Sequence, residues 1–175
     1  MEHQGYTIME TTETKMNRFS CDRQAKYDFV SSITFYVSGV QMDFYEMDAK
    51  NELVPFGSSA ASPTAPFDVV ILTPHNRYVV ELKDRWKYDS TIDPAYLEPH
   101  KYRNLLLAKE GGFIPLYGML YKDGIINIWK VKEGYESGTT CAKKYTVLDG
   151  PKEIKTEYLL WDSGATSIPR ITAIL

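Results

Sequence analysis

The chain has 175 residues, 43% of them hydrophobic, which suits one globular domain with a real core and leaves little room for a second. Thirteen Tyr, seven Phe and three Trp argue against wholesale disorder. A formal net charge of −3 excludes coating or packaging of nucleic acid by a global basic field, though not a metal site, whose cation restores positive charge locally.

Residues 1–19 are polar, rich in Thr and Glu, and read as a loose arm before a single domain over 20–175. No apolar run approaches the roughly 20 residues of a membrane span, and the N-terminal stretch lacks the apolar centre of a signal peptide. Cys21 and Cys141 form no CxxC pair and have no His cluster beside them, so a zinc site is not expected. Two lone thiols fit a reducing compartment, and the expected location is the cytoplasm.

A helix is predicted from Ser20, as N-cap, to a stop at Gly39, with Ala25, Phe29, Ile33 and Val37 as its core-facing stripe. VQMDFYEMDA (40–49) reads as extended, and GSSAASPTAP (57–66) as a loop. FDVVIL (67–72), a turn at TPHN (73–76) and RYVVELK (77–83) read as two paired strands. Residues 84–99 read as loop, and HKYRNLLLAKE (100–110) as a helix closed by Gly111-Gly112. FIPLYGMLY (113–121), a turn at Lys122-Asp123-Gly124 and IINIWKV (125–131) form a second hairpin. Weaker strands are expected at 143–148 and 155–161, then loops and a short tail. The order predicts a mixed α/β fold with helices packed on a central sheet.

The chemistry concentrates in the first hairpin. Twelve residues separate Asp68 from Glu81, and Glu81-Leu82-Lys83 has the form E-x-K. Strand alternation sends Glu81 and Lys83 to one face and Val80 and Leu82 to the other, toward a core. Two carboxylates suit Mg²⁺, a hard cation that takes oxygen ligands, with the Leu82 carbonyl as a further donor. Such an ion acidifies a bound water and polarises a phosphoryl group, and Lys83 can orient that water or stabilise developing charge. About one match to so loose a pattern is expected by chance in a chain of this size. Context lifts it, because an acid and a lysine interrupt an apolar strand, where unpaired charge is unfavourable. No nucleophile elbow and no phosphate-binding G-x-x-x-x-G-K-[ST] loop are present.

FDVVIL…RYVVELKDR resembles the core of PD-(D/E)XK nucleases, the restriction-endonuclease-like superfamily. LEPHKYRNLLLAKEGGFIPLYGMLYKDGIINIWKV is similar to the stretch after E-x-K in small phage and bacterial members, and TEYLLW (156–161) to their closing strand. Phe67 stands where the superfamily's name has proline. The resemblance covers roughly residues 20–161. It implies a central mixed sheet flanked by helices in αβββαβ order with extra C-terminal strands. It also implies metal-dependent hydrolysis of phosphodiester bonds, by default in DNA, with Mg²⁺ or Mn²⁺ and a 5′-phosphate product. Asp68 and Glu81 would hold the metal, with Lys83 completing the trio. Lys101 would contact substrate phosphate, although from its place in the helix it reads equally as a solvated lysine. An acid on the first helix is expected to join the site. Asp22, followed by Arg23, is preferred to Asp28 because it shares the stripe of Ala25, Phe29 and Ile33.

Arg85, with Trp86 and Lys87, could grip nucleic acid by charge and stacking. His75 and His100 read as surface histidines. Duplex cleavage by so small a domain would call for two sites, hence a C2 homodimer through the hairpin of residues 113–131. The alternative is a non-catalytic nucleic-acid-binding or assembly module on the same fold, or an unrelated structural domain. The intact trio argues against the first, and adjacency of Asp68 and Glu81 in the fold would argue against the second.

Overall fold

The first helix, α1 (Thr12–Tyr36), is longer than expected. Residues 12–19 contain neither Gly nor Pro and include the helix formers Glu13, Lys15, Met16 and Arg18, so nothing in the chain stops the helix before Ser20. Ser20 and Asp22 therefore lie in its interior and do not cap it. A computed structural model describes residues 12–91, 95–135, 140–145, 153–159 and 164–175. Most of the expected arm (1–11), residues 146–148 of one expected strand and Leu160-Trp161 of the other lie outside them.

The strands are β1 (Asp43–Met47), β2 (Leu53–Pro55), β3 (Val69–Leu72), β4 (Arg77–Arg85), β5 (Tyr96–Leu97), β6 (Ile114–Tyr121), β7 (Ile125–Lys130), β8 (Thr140–Tyr145), β9 (Glu153–Leu159) and β10 (Ala165–Pro169). Helix α2 (Pro99–Glu110) lies between β5 and β6, opened by Pro99 in its first turn and followed by Gly112 at φ +86°. A seven-stranded mixed sheet runs β10-β7-β6-β4-β3-β1-β2, and β5-β9-β8 form a smaller sheet. The chain from α1 through β1, β3, β4 and α2 to β6 gives the αβββαβ order that the resemblance implied, with β2 and β5 as short additions. The β3–β4 and β1–β3 pairs are antiparallel. The β4–β6 pair is parallel, and α2 supplies the crossover that parallel neighbours require. The strands read at 143–148 and 155–161 begin earlier, and β10, read as tail, closes the sheet against β7.

Alternation along β4 divides the core in two. Val80 and Leu82 join Ala25 and Phe29 of α1, Val69, Ile71, Leu120 and Ile126 in one layer. Val79 joins Tyr102 and Leu105 of α2, Val70, Tyr117, Met119 and Trp129 in the other. The two helices thus cover opposite faces of the sheet. Val37 departs from its expected place on the stripe: it follows the end of α1 and is exposed. The hairpin expected to offer a dimer surface is interior. Here β6 lies between β4 and β7, β10 covers the edge of β7, and Tyr117, Met119, Leu120 and Tyr121 are all buried.

Gly118 marks the tightest approach in the α1 layer. A Cβ there would stand 2.8 Å from Leu82 Cδ2 and 3.7 Å from Phe29. Gly118→Ala is expected to cost about 1–3 kcal/mol by overpacking. Chemical denaturation measures it, and an unchanged midpoint would show that Leu82 moves aside freely.

Candidate functional site

The end of the ladder between β3 and β4 creates the central pair. Val69 lies opposite Val80, and the Asp68 amide also donates to the Val80 carbonyl at 2.9 Å, which sets Asp68 beside Glu81, near enough for its charge to act on the Glu81 carboxyl. The Asp68 carboxylate accepts the Leu82 amide at 2.8 Å through Oδ2 and meets Lys26 Nζ at 3.5 Å through Oδ1. A strand residue directs its N–H and C=O to the same neighbour. The Leu82 carbonyl therefore leaves β4 on the side of Asp68, beyond the point where β3 has ended.

Glu81 is buried, and Lys101 of α2 donates to its Oε1. Burial and the facing Asp68 push the Glu81 carboxyl up to about 7, against the opposing pull of Lys101. Lys101 is shifted upward too: burial disfavours its charge, but Glu81 and, further off, Asp68 and Glu98 more than compensate. Lys101, expected to contact substrate phosphate, is thus the counter-ion of Glu81. His100 stands 3.5 Å from Glu98 at the start of the same helix.

Lys83 shares the Glu81 face of β4, and Arg85 follows at the strand's end, 4.5 Å over the Tyr88 ring. Asp22 approaches from α1. It is exposed, yet partial loss of hydration and the charge of Asp68 raise its pKa, while Lys83 and Lys26 pull it down. Asp22 and Asp68 also border an open cleft of about 410 Å³ between α1 and the small-residue loop 57–63. Asp28 is fully buried, held by Arg170, Gln24 and the Ala173 amide. Helix periodicity places Asp28 off the stripe of Ala25, Phe29 and Ile33. The C-terminal segment buries it instead. Asp22 is thus within electrostatic reach of Asp68 and Lys83, and Asp68 of Glu81, whereas Asp28 is taken up by the C-terminal segment.

Two residues escaped the sequence reading. Lys26 lies one helical turn after Asp22, and its ammonium bridges Asp68 and Glu46 Oε1, the latter at 3.2 Å. Glu46 Oε2 in turn accepts the Gly57 amide at 2.9 Å, tying the cleft loop to β1. The i, i+4 spacing from Asp22 was the available signal for Lys26. Nothing local marks Glu46, whose role depends on β1 pairing beside β3.

Among the described residues, no three His, Cys, Asp or Glu side chains cluster as a metal cage. The donors that do meet are the Asp68 and Glu81 carboxylates, with the Leu82 carbonyl on the same side. That set suits Mg²⁺, which takes one or two carboxylates and keeps several waters, and does not suit zinc. A cation would also favour the charged form of Glu81, which burial first and Asp68 second disfavour.

A pH dependence follows without metal. The folded Glu81 pKa, about 7, lies above the ordinary 4.5, so the folded chain binds this proton more tightly than the unfolded one. Its stabilising contribution is complete below pH 4.5 and is lost as pH rises through 7. The loss is on the order of 3 kcal/mol. Denaturation in chelator at pH 5 and pH 8 should show this fall in the parent chain and a smaller one in Glu81→Gln. Parallel curves for the two proteins would contradict it.

No protein-family profile matches the sequence, and no curated protein does. Among solved structures, the chain is similar to that of Hjc from Archaeoglobus fulgidus, a Holliday junction resolvase from an archaeal hyperthermophile. The likeness covers 61% of this chain and 75% of that one at 14% identity, with a TM-score of 0.38, too distant to transfer a function. Among the described residues, no helix is long and apolar enough to cross a membrane.

Proposed function

We propose that this chain is a PD-(D/E)XK-type nuclease that hydrolyses phosphodiester bonds in DNA, using Mg²⁺ or Mn²⁺ and leaving 5′-phosphates. The observation that supports the reading is the nearness of Asp68, bonded to the β4 backbone at Val80 and Leu82, to Glu81 between them, with Lys83 two residues on along the strand. Two carboxylates at close quarters, one buried, disfavour each other's charge, and Lys101 offsets this only in part, since the Glu81 carboxyl is still pushed up. A divalent cation supplies, when bound, an acidified water and polarisation of the phosphoryl oxygens.

Asp68 and Glu81 would hold that ion, with the Leu82 carbonyl as a third protein donor. Lys101 fixes the orientation of the Glu81 carboxylate through its hydrogen bond. Lys83 orients the attacking water or stabilises negative charge on the phosphate, and its ammonium needs no long-range field at this distance. Asp22, sharing an electrostatic neighbourhood with Lys83 and Asp68, holds the Lys83 ammonium toward the reacting centre.

Incubation of the purified chain with duplex and single-stranded DNA tests the reading. Cleavage is expected with Mg²⁺ or Mn²⁺ and none in EDTA. A rate insensitive to chelator would refute it, and binding without cleavage would favour the non-catalytic module.

A further inference from the structure

The turn that follows the lysine-bearing strand has no role in the scheme above, yet it is built to present an aromatic ring. Trp86 keeps 57% of its surface exposed. A large exposed aromatic is ordinarily tolerated on a surface that is free to adapt, but this one is pinned. The Tyr88 amide donates to the Arg85 carbonyl at 2.9 Å, closing a tight turn. The Lys122 amide donates to the Tyr88 carbonyl at 3.0 Å, and the Ser90 amide and hydroxyl both bind Asp123 Oδ2, at 2.9 and 2.6 Å. These bonds fasten residues 85–90 to the β6–β7 turn.

A cation stands against each of the two aromatic rings of the turn. Lys87 Nζ stands 4.7 Å from the Trp86 ring centroid, and Arg85 lies over Tyr88. Arg170 is shared between Asp28 at 2.8 Å and Asp84 at 3.3 Å, so the charges around the turn balance, in a chain of net charge −3. The turn is close to the candidate site: Trp86 stands three positions after Lys83, at most about 10 Å along an extended chain.

We propose that the Arg85–Tyr88 turn is a stacking site for an unpaired nucleobase of the strand being cleaved. This rests on the nuclease reading and narrows its substrate to nucleic acid with unpaired bases near the scissile phosphate. An exposed flat ring on a fastened turn binds any base through its open π-face, and the Lys87 ammonium beside it can meet a backbone phosphate. A base within a duplex is already stacked and has no free face to offer.

The test uses the full chain carrying Asp68→Asn, so that labelled oligonucleotides survive, and reads fluorescence anisotropy with a fifteen-nucleotide thymidine strand and with a matched duplex. Trp86→Ala should weaken single-strand binding by about fivefold to a hundredfold. Duplex binding should stay within about twofold, and Trp86→Tyr should restore most of the loss. The salt dependence should keep its slope in Trp86→Ala, since no phosphate contact is removed, and should flatten in Lys87→Ala. Phe35→Ala, removing another exposed aromatic at the far end of α1, serves as control and should change nothing. Equal loss on both substrates, or no loss, overturns the proposal. A Trp86→Ala effect on self-association with unchanged oligonucleotide affinity overturns it also, assigning the turn to protein contact. Cleavage by the parent chain is measured alongside. Metal-dependent cleavage with Trp86 indifferent rejects the stacking site alone, whereas absence of both cleavage and binding rejects the two readings together.

Discussion

Asp68→Asn, Glu81→Gln and Lys83→Ala are each expected to lower metal-dependent DNA cleavage by at least about a hundredfold, the scale of removing one preorganised electrostatic group. Asp68→Asn is the most informative. Asn keeps an oxygen to accept the Leu82 amide, so the local backbone geometry survives. It gives up the 3.5 Å contact with Lys26, a partly exposed pair of modest worth. It also relieves Glu81 of a like charge. Metal-free stability should therefore hold or rise while activity disappears, which is the signature of a carboxylate kept for function against the interest of the fold. The paired measurement is a cleavage rate in Mn²⁺ and a denaturation midpoint in EDTA. Full activity in Asp68→Asn would end the nuclease assignment. A large fall in stability would make Asp68 a structural residue.

Asp28→Ala should produce the largest stability loss of any single carboxylate substitution, about 3–5 kcal/mol, because it removes the closer of the two carboxylates that hold Arg170, leaving only Asp84 at 3.3 Å, and strands buried donors. Asp28 Oδ2 accepts Arg170 Nε at 2.8 Å, and Oδ1 accepts Gln24 Nε2 at 2.7 Å and the Ala173 amide at 2.8 Å. The same junction is closed by Ser32, whose hydroxyl donates to the Asp28 carbonyl and accepts the Ile171 amide. Removing the carboxylate strands three donors at once and frees the C-terminal segment from α1. For a chain of this size the melting temperature should drop by roughly 6–20 °C. Asp22→Asn, by contrast, should leave the melting temperature almost unchanged while cleavage falls, because its carboxylate is exposed and stands by the candidate site. The opposite pattern, with Asp28→Asn inactive but stable and Asp22→Asn only unstable, would exchange the two assignments.

The sequence alone determined those features whose cause is local. Apolar alternation in FDVVIL and RYVVELK, with turn chemistry between them, is sufficient to define a hairpin, and strand period then puts Glu81 and Lys83 on one face. Pro99 and the Gly pair bracket α2 for the same kind of reason. The tertiary structure decided everything that depends on which surfaces meet. Asp28 and Asp22 differ little as helix residues, and only the return of Arg170 and Ala173 to α1 makes the first a buried anchor. The hairpin of residues 113–131 is Tyr-rich and apolar whether it lies at an edge or at the centre. The position of β10, invisible as a strand in ATSIP, covers it. Lys101 reads as a solvated helix lysine until the crossover lays α2 against β4 and brings its ammonium to Glu81. Periodicity records how a segment packs against something, and it carries no information about which partner that is.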